Sequence, residues 1–163
     1  AYGVIVPRVN TPADAERAVS AVKYPPLGNR GVGLARAQKY GQGFNEYKEE
    51  VNEQSTVIVQ IEHIEAVSNL SEILSVPGVD AFFIGPYDLS ASLGIQGDFT
   101  NLKMVAAVER IHTISKQLNK ASGIHIIQPD KGELKRRLEE GFKFIALSLD
   151  SVYLGNGCRE MLK

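Results

Sequence analysis

The chain has 163 residues, of which 44% are hydrophobic and 23% are charged, and its formal net charge at pH 7 is −1. This near-neutral balance argues against a nucleic acid or an anionic membrane as its partner. No apolar run approaches the roughly 20 residues that span a bilayer, and the one cysteine, Cys158, excludes an internal disulfide, so we expect a cytoplasmic protein.

Five short runs of mostly apolar, often β-branched residues predict five strands. They are Gly3–Val6, Thr56–Ile61, Val79–Ile84, Gly123–Ile127 and Phe142–Leu147. Their apolar character is nearly continuous rather than alternating, which is typical of parallel strands covered on both faces. Helical patterns fill the gaps, and strands that alternate with helices favour right-handed βαβ units in a parallel sheet.

Helix signals stand between these strands. The segment Thr11–Asp14 combines an N-cap residue, a proline at the first helical position and an acid in the first turn. Asp130 predicts the N-cap of a later helix, and Gly141 predicts its end. A repeat of three to four residues predicts one more helix with a single buried stripe, formed by Leu102, Val105, Val108, Ile111, Ile114 and Leu118.

The spacing of the strands indicates the architecture. The 163 residues over five units give about 33 residues each, and eight such units would reach the roughly 250 residues of a TIM barrel. We therefore expect residues 1–163 to form a single domain, an incomplete (β/α)₈ barrel that lacks the first three βα units. An independent open sheet is the alternative, and the periodicity alone does not reject it.

Acidic residues follow two consecutive predicted strands. In a parallel α/β barrel the chemistry lies at the carboxyl ends of the strands. The residues at those ends are Arg8, Glu62, Asp88, His125 or Gln128, and Asp150. Neighbouring strands lie about 4.8 Å apart, so Glu62 and Asp88 can reach one cation, and two carboxylates with waters suit Mg²⁺ or Mn²⁺. The alternative is that these acids cap helices or face solvent.

The segment around Asp88 adds a second signal. Gly85 permits close approach of a ligand to the backbone, and Pro86 stiffens the turn. The backbone amides near Tyr87 and Asp88 open a predicted short helix, where N–H groups favour an anion. A substrate carboxylate at this turn would also lie beside the metal.

Several segments together resemble the HpcH/HpaI family of metal-dependent pyruvate aldolases. Val59–Glu62 and Gly78–Gly94 carry the strongest likeness, and Tyr24–Gly33 is similar to the loop after the family's fourth strand. Val4–Pro7 resembles the fourth strand itself, and Phe144–Asp150 resembles the eighth. The resemblance implies a TIM barrel of the phosphoenolpyruvate/pyruvate type, of which this chain holds strands 4 to 8 with their helices.

The resemblance also implies a site and a reaction. Glu62 and Asp88 match the two metal-binding carboxylates, and substrate binding is assigned to Gly85, Pro86, Tyr87, Asp88 and Arg30. For Arg30, packing against its own loop is the alternative. The implied activity is that of a class II aldehyde-lyase of the 2-keto-3-deoxy sugar acid or 4-hydroxy-2-oxo-heptanedioate type. It cleaves 4-hydroxy-2-oxo acids to pyruvate and an aldehyde, with a divalent ion stabilising the pyruvate enolate.

The expected cofactor is Mg²⁺ or Mn²⁺, with Co²⁺ or Zn²⁺ as alternatives. The expected partners are a small 2-oxo acid and an aldehyde, with no nucleic acid and no membrane. The family resemblance further implies a homo-oligomer, a trimer or a hexamer.

Three residues depart from the family pattern. Tyr87 stands where a small residue is usual, so its phenol either narrows the pocket or points away. His63 replaces a threonine or serine, and we expect a structural role because it alternates away from Glu62 along the strand. Ser148 replaces a glycine.

The family's proton-transferring histidine and its oxyanion-stabilising arginine lie on the first three strands of the barrel. That region is upstream of Ala1, so no general base is assigned and the chain alone is expected to be inactive. Two other functions stay open: a related superfamily lyase, acting on citramalyl or malyl thioesters or decarboxylating oxaloacetate, and a non-catalytic half-barrel that binds a ligand. The apolar edge at Gly3–Val6 disfavours the last, because an uncovered edge promotes aggregation.

Overall fold

The computed structural model describes the whole chain, Ala1–Lys163. Its strands are β1 (Gly3–Val6), β2 (Thr56–Ile61), β3 (Ala81–Ile84), β4 (Ala121–Ile126) and β5 (Phe144–Leu147). Its α-helices are α1 (Pro12–Val22), α2 (Phe44–Gln54), α3 (Ile64–Ser68), α4 (Leu70–Ser75), α5 (Pro86–Ser92), α6 (Leu102–Gln117), α7 (Lys131–Glu139) and α8 (Asp150–Met161). A 3₁₀ helix, Arg36–Gly41, lies between α1 and α2.

All five strands are parallel, and each pairs with the next one along the sequence. The register brings the carboxyl ends of the strands to one edge of the sheet. Ile61 and Ile84, the last residues of β2 and β3, lie beside each other, and Ile84 lies beside Ile124, two residues before β4 ends. At least one helix separates each strand from the next, and the sheet curls into a half-barrel. The predicted fold class is confirmed.

Two strands begin later than the sequence predicts, β3 at Ala81 rather than Val79 and β5 at Phe144 rather than Phe142. Val79 and Phe142 are buried, but their N–H groups donate to carbonyls of the preceding helical region. The predicted strands were therefore too long at their starts, because buried apolar residues also occur in the turns between a helix and the next strand. In contrast, β4 begins two residues earlier than predicted, at Ala121.

The predicted helix signals around α1 and α7 are confirmed. At α1, the Thr11 side chain accepts from the Asp14 N–H, and the Asp14 carboxylate accepts from the Thr11 N–H at 2.9 Å, which forms a capping box. At α7, the Asp130 carboxylate accepts from the Glu133 N–H. Gly141 follows that helix with a φ of 97°, a left-handed conformation that glycine adopts without strain.

The buried stripe of α6 differs from the predicted one in its first turns. Leu102 is 83% exposed and Val105 is 41% exposed, so the prediction is wrong there. The face that enters the core runs through Met104, Ala107, Ile111 and Ser115. At the first turn the helix thus presents Met104 to the core, while the later predicted residues Val108, Ile114 and Leu118 pack partly buried against it.

The main hydrophobic core lies between the sheet and the helices. Its 18 buried residues include Val59, Ile61, Phe82, Ile84 and Ile124 from the three central strands. The outermost strands are less covered, since their burial patterns contain no fully buried residue. The expectation of strands covered on both faces is therefore wrong for β1 and β5, each of which has a paired neighbour on one side only. The longest helix has 16 residues, and no helix combines the length and apolar character needed to cross a membrane.

Candidate metal centre

A polar cavity of about 340 Å³ lies where β1, β2 and β3 end. Both predicted carboxylates, Glu62 and Asp88, line it, and none of its lining residues is hydrophobic. The full lining is Pro7, Arg8, Asn10, Glu62, His63, Asp88 and Ser92. The parallel register brings these residues together, because it places the ends of adjacent strands at one edge of the sheet.

Two N–H donors hold the Glu62 carboxylate in place. The backbone N–H of Arg8 donates to Glu62 Oε1 at 2.8 Å, and Gln60 Nε2 donates to Glu62 Oε2 at 2.7 Å. Glu62 is 9% exposed, so its charge is sheltered by the chain but opens on the cavity. Each oxygen of an ionised carboxylate has two lone pairs, so both oxygens of Glu62 keep capacity for a cation.

Gly85 supports this arrangement through close approach. A Cβ atom there would lie 2.8 Å from Gln60 Nε2 and 3.0 Å from Glu62 Oε2. Its φ of −94° is ordinary for any residue, so space and not conformation requires the glycine. The sequence suggested that Gly85 admits a ligand, whereas the structure shows that it admits the hydrogen-bonded pair Gln60 and Glu62.

Asp88 differs from Glu62 in its surroundings. It is the third residue of α5, it is exposed, and its carboxylate forms no hydrogen bond or ion pair with the chain. The first helical hydrogen bond of α5 runs from the Leu89 N–H to the Gly85 carbonyl, so the backbone amides of Tyr87 and Asp88 precede it. The site thus pairs one fixed carboxylate with one free carboxylate.

Arg30 and Tyr87 lie outside this cavity. The Arg30 guanidinium stacks over the ring of buried Tyr24 at 4.8 Å, and Nη1 donates to the Val22 carbonyl at 3.5 Å. This geometry corresponds to the alternative role, packing against its own loop. The Tyr87 phenol accepts from Gln96 Nε2 at 3.3 Å, and Tyr87 is not among the residues that line the cavity.

A second, larger cavity of about 780 Å³ lies between α6 and α7. Pro86 and Tyr87 line it, together with the strand-end residues His125 and Gln128. The loop Gly85–Asp88 therefore separates the two cavities, with Asp88 on one side and its two preceding residues on the other. Asp150, the last of the strand-end candidates, begins α8, where its carboxylate accepts from the Ser151 N–H at 2.7 Å.

His63 lines the polar cavity and also caps a helix. Its Nδ1 accepts from the Glu65 N–H at 3.2 Å at the start of α3. The expected structural role therefore has a contact to support it, but the reason given for it was wrong. His63 and Glu62 line the same cavity, so His63, two residues beyond the end of β2, does not alternate away from Glu62.

Two contributions to the site were missed from the sequence. Gln60 lies two residues before Glu62, and residues at that spacing in a strand share a face, so the pairing was accessible. The second is the hydrogen bond from the Arg8 N–H to Glu62. It forms where the Arg8 backbone is left-handed, with a φ of 56°, and no sequence pattern indicated that conformation.

The donor set fits a hard divalent ion that retains water ligands. No group of three or more His, Cys, Asp or Glu side chains is placed to hold a metal, so the chain offers the two carboxylates alone. Mg²⁺ is commonly bound through one or two carboxylates plus waters and substrate oxygens. A structural zinc site would need four nitrogen or sulfur ligands, which are absent here.

Comparisons with known proteins all indicate the same family. The family model for HpcH/HpaI aldolase/citrate lyase matches residues 1–156. The hydroxypyruvate/pyruvate aldolase of Pseudomonas aeruginosa is 42% identical over 99% of this chain and 60% of its own length. A 4-hydroxy-2-oxo-heptane-1,7-dioate aldolase of Salmonella arizonae is 40% identical over 99% of this chain and 61% of its own length.

Solved structures agree with this likeness. The crystal structure of an HpcH/HpaI aldolase/citrate lyase family protein from Burkholderia cenocepacia superposes with a TM-score of 0.90 at 35% identity. The match covers 99% of this chain and 64% of that protein. The chain thus spans about 60% of the length of the curated relatives that it matches.

Proposed function

Because this chain belongs to the HpcH/HpaI aldolase/citrate lyase family, we propose that it acts in the metal-dependent cleavage of 4-hydroxy-2-oxo acids to pyruvate and an aldehyde. The observation that carries the proposal is the meeting of Glu62 and Asp88 in one polar cavity at the ends of adjacent strands. The two relatives described above are named as aldolases, which supports the same class of reaction.

Glu62 and Asp88 would hold the ion, Mg²⁺ or Mn²⁺ in the first instance. A bound divalent ion supplies Lewis acidity, which polarises a keto oxygen and stabilises the charge that develops there. Glu62 is the orienting ligand, since the Arg8 N–H and Gln60 Nε2 fix both of its oxygens. Asp88 has no competing partner within the chain and is free to turn toward the ion.

The backbone of Gly85–Asp88 would receive the carboxylate of the 2-oxo acid. This turn begins α5 beside Asp88, and the amides of Tyr87 and Asp88 precede the first hydrogen bond of the helix. Free N–H groups at such a position favour a negative charge. Pro86 restricts the turn, and Gly85 keeps it against Glu62.

In the cleavage direction the 4-hydroxyl group loses its proton and becomes the aldehyde. The C3–C4 bond breaks, its electron pair passes to the pyruvate half, and C3 then takes up one proton. The family resemblance assigns the proton transfers to a histidine on a strand that residues 1–163 do not include. We also propose, on that resemblance, that the protein acts as a homo-oligomer on small 2-oxo acids and aldehydes.

The first test is the binding of oxalate, a stable analogue of pyruvate enolate, to the chain by calorimetry. We expect binding in the presence of Mn²⁺ and none in excess chelator, because the proposed site requires the ion. Tight oxalate binding in chelator would contradict the proposal.

Turnover distinguishes an aldolase from a non-catalytic binding protein. Pyruvate release from a 4-hydroxy-2-oxo acid, coupled to lactate dehydrogenase, should depend on the metal. We expect this chain to be inactive or at least about 10²–10⁴-fold slower than the Pseudomonas aeruginosa relative, since that is the usual contribution of a general acid–base group alone and the oxyanion-stabilising arginine is also outside residues 1–163. A rate equal to that of the relative would show that residues 1–163 supply the proton transfer themselves.

A further inference from the structure

Arg8 occupies an unusual position at the metal cavity. It follows β1 with a φ of 56°, in the left-handed region that residues other than glycine seldom adopt. This conformation coincides with the hydrogen bond from the Arg8 N–H to Glu62 Oε1 at 2.8 Å. Residues held in such conformations cluster at functional sites, where the surrounding structure keeps them in place.

The Arg8 side chain has no partner in the chain. Arg8 is exposed and is one of the residues that line the cavity, and its guanidinium forms no hydrogen bond, no ion pair and no stacking contact with any residue. Arg137, in contrast, is paired with both Glu133 and Glu140. Arg8 is also the only lysine or arginine among the cavity residues.

The charges of the cavity indicate which kind of ligand the Arg8 guanidinium would bind. Glu62 and Asp88 together balance one divalent ion, so the positive charge of Arg8 remains uncompensated once the ion is bound. A resident counter-ion role would bring Arg8 within 4.0 Å of one of these carboxylates, and no such ion pair forms. The free guanidinium is therefore suited to an anion that arrives with the substrate.

The order of the strands separates this anion from the carboxylate of the 2-oxo acid. Arg8 follows β1, Glu62 follows β2, and Asp88 follows β3, so Arg8 and Asp88 flank Glu62 on opposite sides. Two strand spacings amount to roughly 10 Å. An anion held by Arg8 therefore lies on the side away from the turn Gly85–Asp88.

We propose that Arg8 is a specificity-determining residue that binds a carboxylate on the aldehyde half of the substrate. The preferred aldehydes would then carry an acid group, and the guanidinium would pair with it through two parallel N–H donors. This inference rests on the proposed function, because it takes the ion and the 2-oxo acid to occupy the Glu62 and Asp88 side of the cavity.

The test uses two aldehydes of equal carbon count, succinate semialdehyde and butanal, which differ in one carboxylate. Each is titrated into the Mn²⁺-loaded chain with saturating oxalate, and binding is followed by the paramagnetic broadening of the aldehyde's proton resonances. We expect the semialdehyde to bind about tenfold more tightly than butanal. That ratio corresponds to the lower end of the contribution that a hydrogen bond to a charged group usually makes.

Two variants remove the guanidinium, Arg8→Met and Arg8→Asn, the latter because asparagine tolerates a left-handed backbone. Both should lose the preference for the semialdehyde but still bind Mn²⁺, since each keeps the backbone N–H that donates to Glu62 Oε1, and Arg8→Asn also suits the left-handed backbone there. The matched control is Arg36→Met, which removes an exposed arginine outside the cavity and should keep the preference.

A preference that survives in both Arg8 variants, or its absence from the wild type, would overturn the inference although oxalate binds normally. Loss of Mn²⁺ binding in both variants would also overturn it, because Arg8 would then maintain the metal site rather than select the substrate. Failure of oxalate to bind the Mn²⁺-loaded wild type would instead reject the proposed function, and this inference with it.

Discussion

The two faces of the sheet have different properties, and adjacent residues of the chain belong to opposite faces. The face toward the helices holds Ile61 and Ile84, both fully buried in the main core. The next residues, Glu62 and Gly85, belong to the opposite side, where they lie against each other and where Glu62 lines the polar cavity. Because side chains alternate along a strand, stability and chemistry can reside in adjacent residues.

Coverage by the helices also differs between the central and the outermost strands. Helices cover the outer face of the central strands, whereas Val4 and Phe144, on the two outermost strands, are each 42% exposed. Burial of apolar surface against the helices therefore supplies most of the stabilisation, and the strand ends are free to carry polar groups. Substitutions at adjacent positions should separate these two roles.

The largest effect on stability is expected from Ile61→Ala. Removing a fully buried isoleucine side chain from the core should lower the free energy of unfolding by about 2–5 kcal/mol. The affinity for Mn²⁺ should stay close to that of the wild type under conditions where the variant is folded, since Ile61 faces the helices. Urea unfolding and calorimetry measure the two quantities, and a large loss of Mn²⁺ affinity in folded protein would mean that the faces are not separable.

A smaller effect on stability, combined with an effect on the metal, is expected from Gly85→Ala. The added methyl group would lie 2.8 Å from Gln60 Nε2 and 3.0 Å from Glu62 Oε2, so the pair must shift. Overpacking of this kind costs about 1–3 kcal/mol, and displacement of Glu62 should weaken Mn²⁺ binding.

The matched control is Gly157→Ala in α8, where a Cβ atom would meet nothing within 4 Å. That substitution should raise the helix propensity and leave Mn²⁺ binding unchanged. Equal Mn²⁺ affinity in Gly85→Ala and the wild type would contradict the close-approach role of Gly85.

The smallest effect on stability is expected at His112, on the outer side of the sheet. Burial lowers the pKa of His112 below its ordinary value, and the ring packs edge-on against Phe142 at 4.9 Å. As the pH falls below about 6.5, the unfolded chain takes up this proton before the folded chain does, so the free energy of unfolding decreases. In His112→Gln, the free energy of unfolding should therefore decrease less between pH 7 and pH 5 than it does in the wild type.

Urea unfolding at several pH values checks this prediction, with pH 7.5 and 8.5 as the internal control because His112 is neutral in both states there. An unchanged pH profile in the variant would show that other groups cause the acid sensitivity. Mn²⁺ binding at pH 7.5 should be the same in both proteins, since His112 lies on the outer side of the sheet.

The fold was predictable because its signals are local and repeated. Five apolar runs, the capping box at Thr11 and Asp14, and the cap at Asp130 each leave a pattern within a few residues. The errors occurred where apolar side chains serve turns, at Val79 and Phe142, because hydrophobicity does not reveal which carbonyl an N–H meets.

The two carboxylates of the site were predictable from parallel-strand geometry, and their shared cavity agrees with that expectation. The support around Glu62 was not predicted, because it depends on the backbone conformation of Arg8 and on the close contact at Gly85. Arg30 shows the opposite problem. A family motif suggested a role at the substrate, but the Arg30 guanidinium stacks over the ring of Tyr24 at 4.8 Å, and Arg30 is not among the residues that line the cavity.

We infer that Glu62 and Asp88 are the only protein ligands of one divalent ion, and calorimetric titration with Mn²⁺ measures this binding. Wild-type chain should bind one ion, and neither Glu62→Gln nor Asp88→Asn should bind it measurably, because each loses one of two charged ligands. Glu53→Gln, an exposed acid outside the cavity, should behave as the wild type does. Unchanged Mn²⁺ affinity in both Glu62→Gln and Asp88→Asn would show that these two carboxylates do not hold the ion.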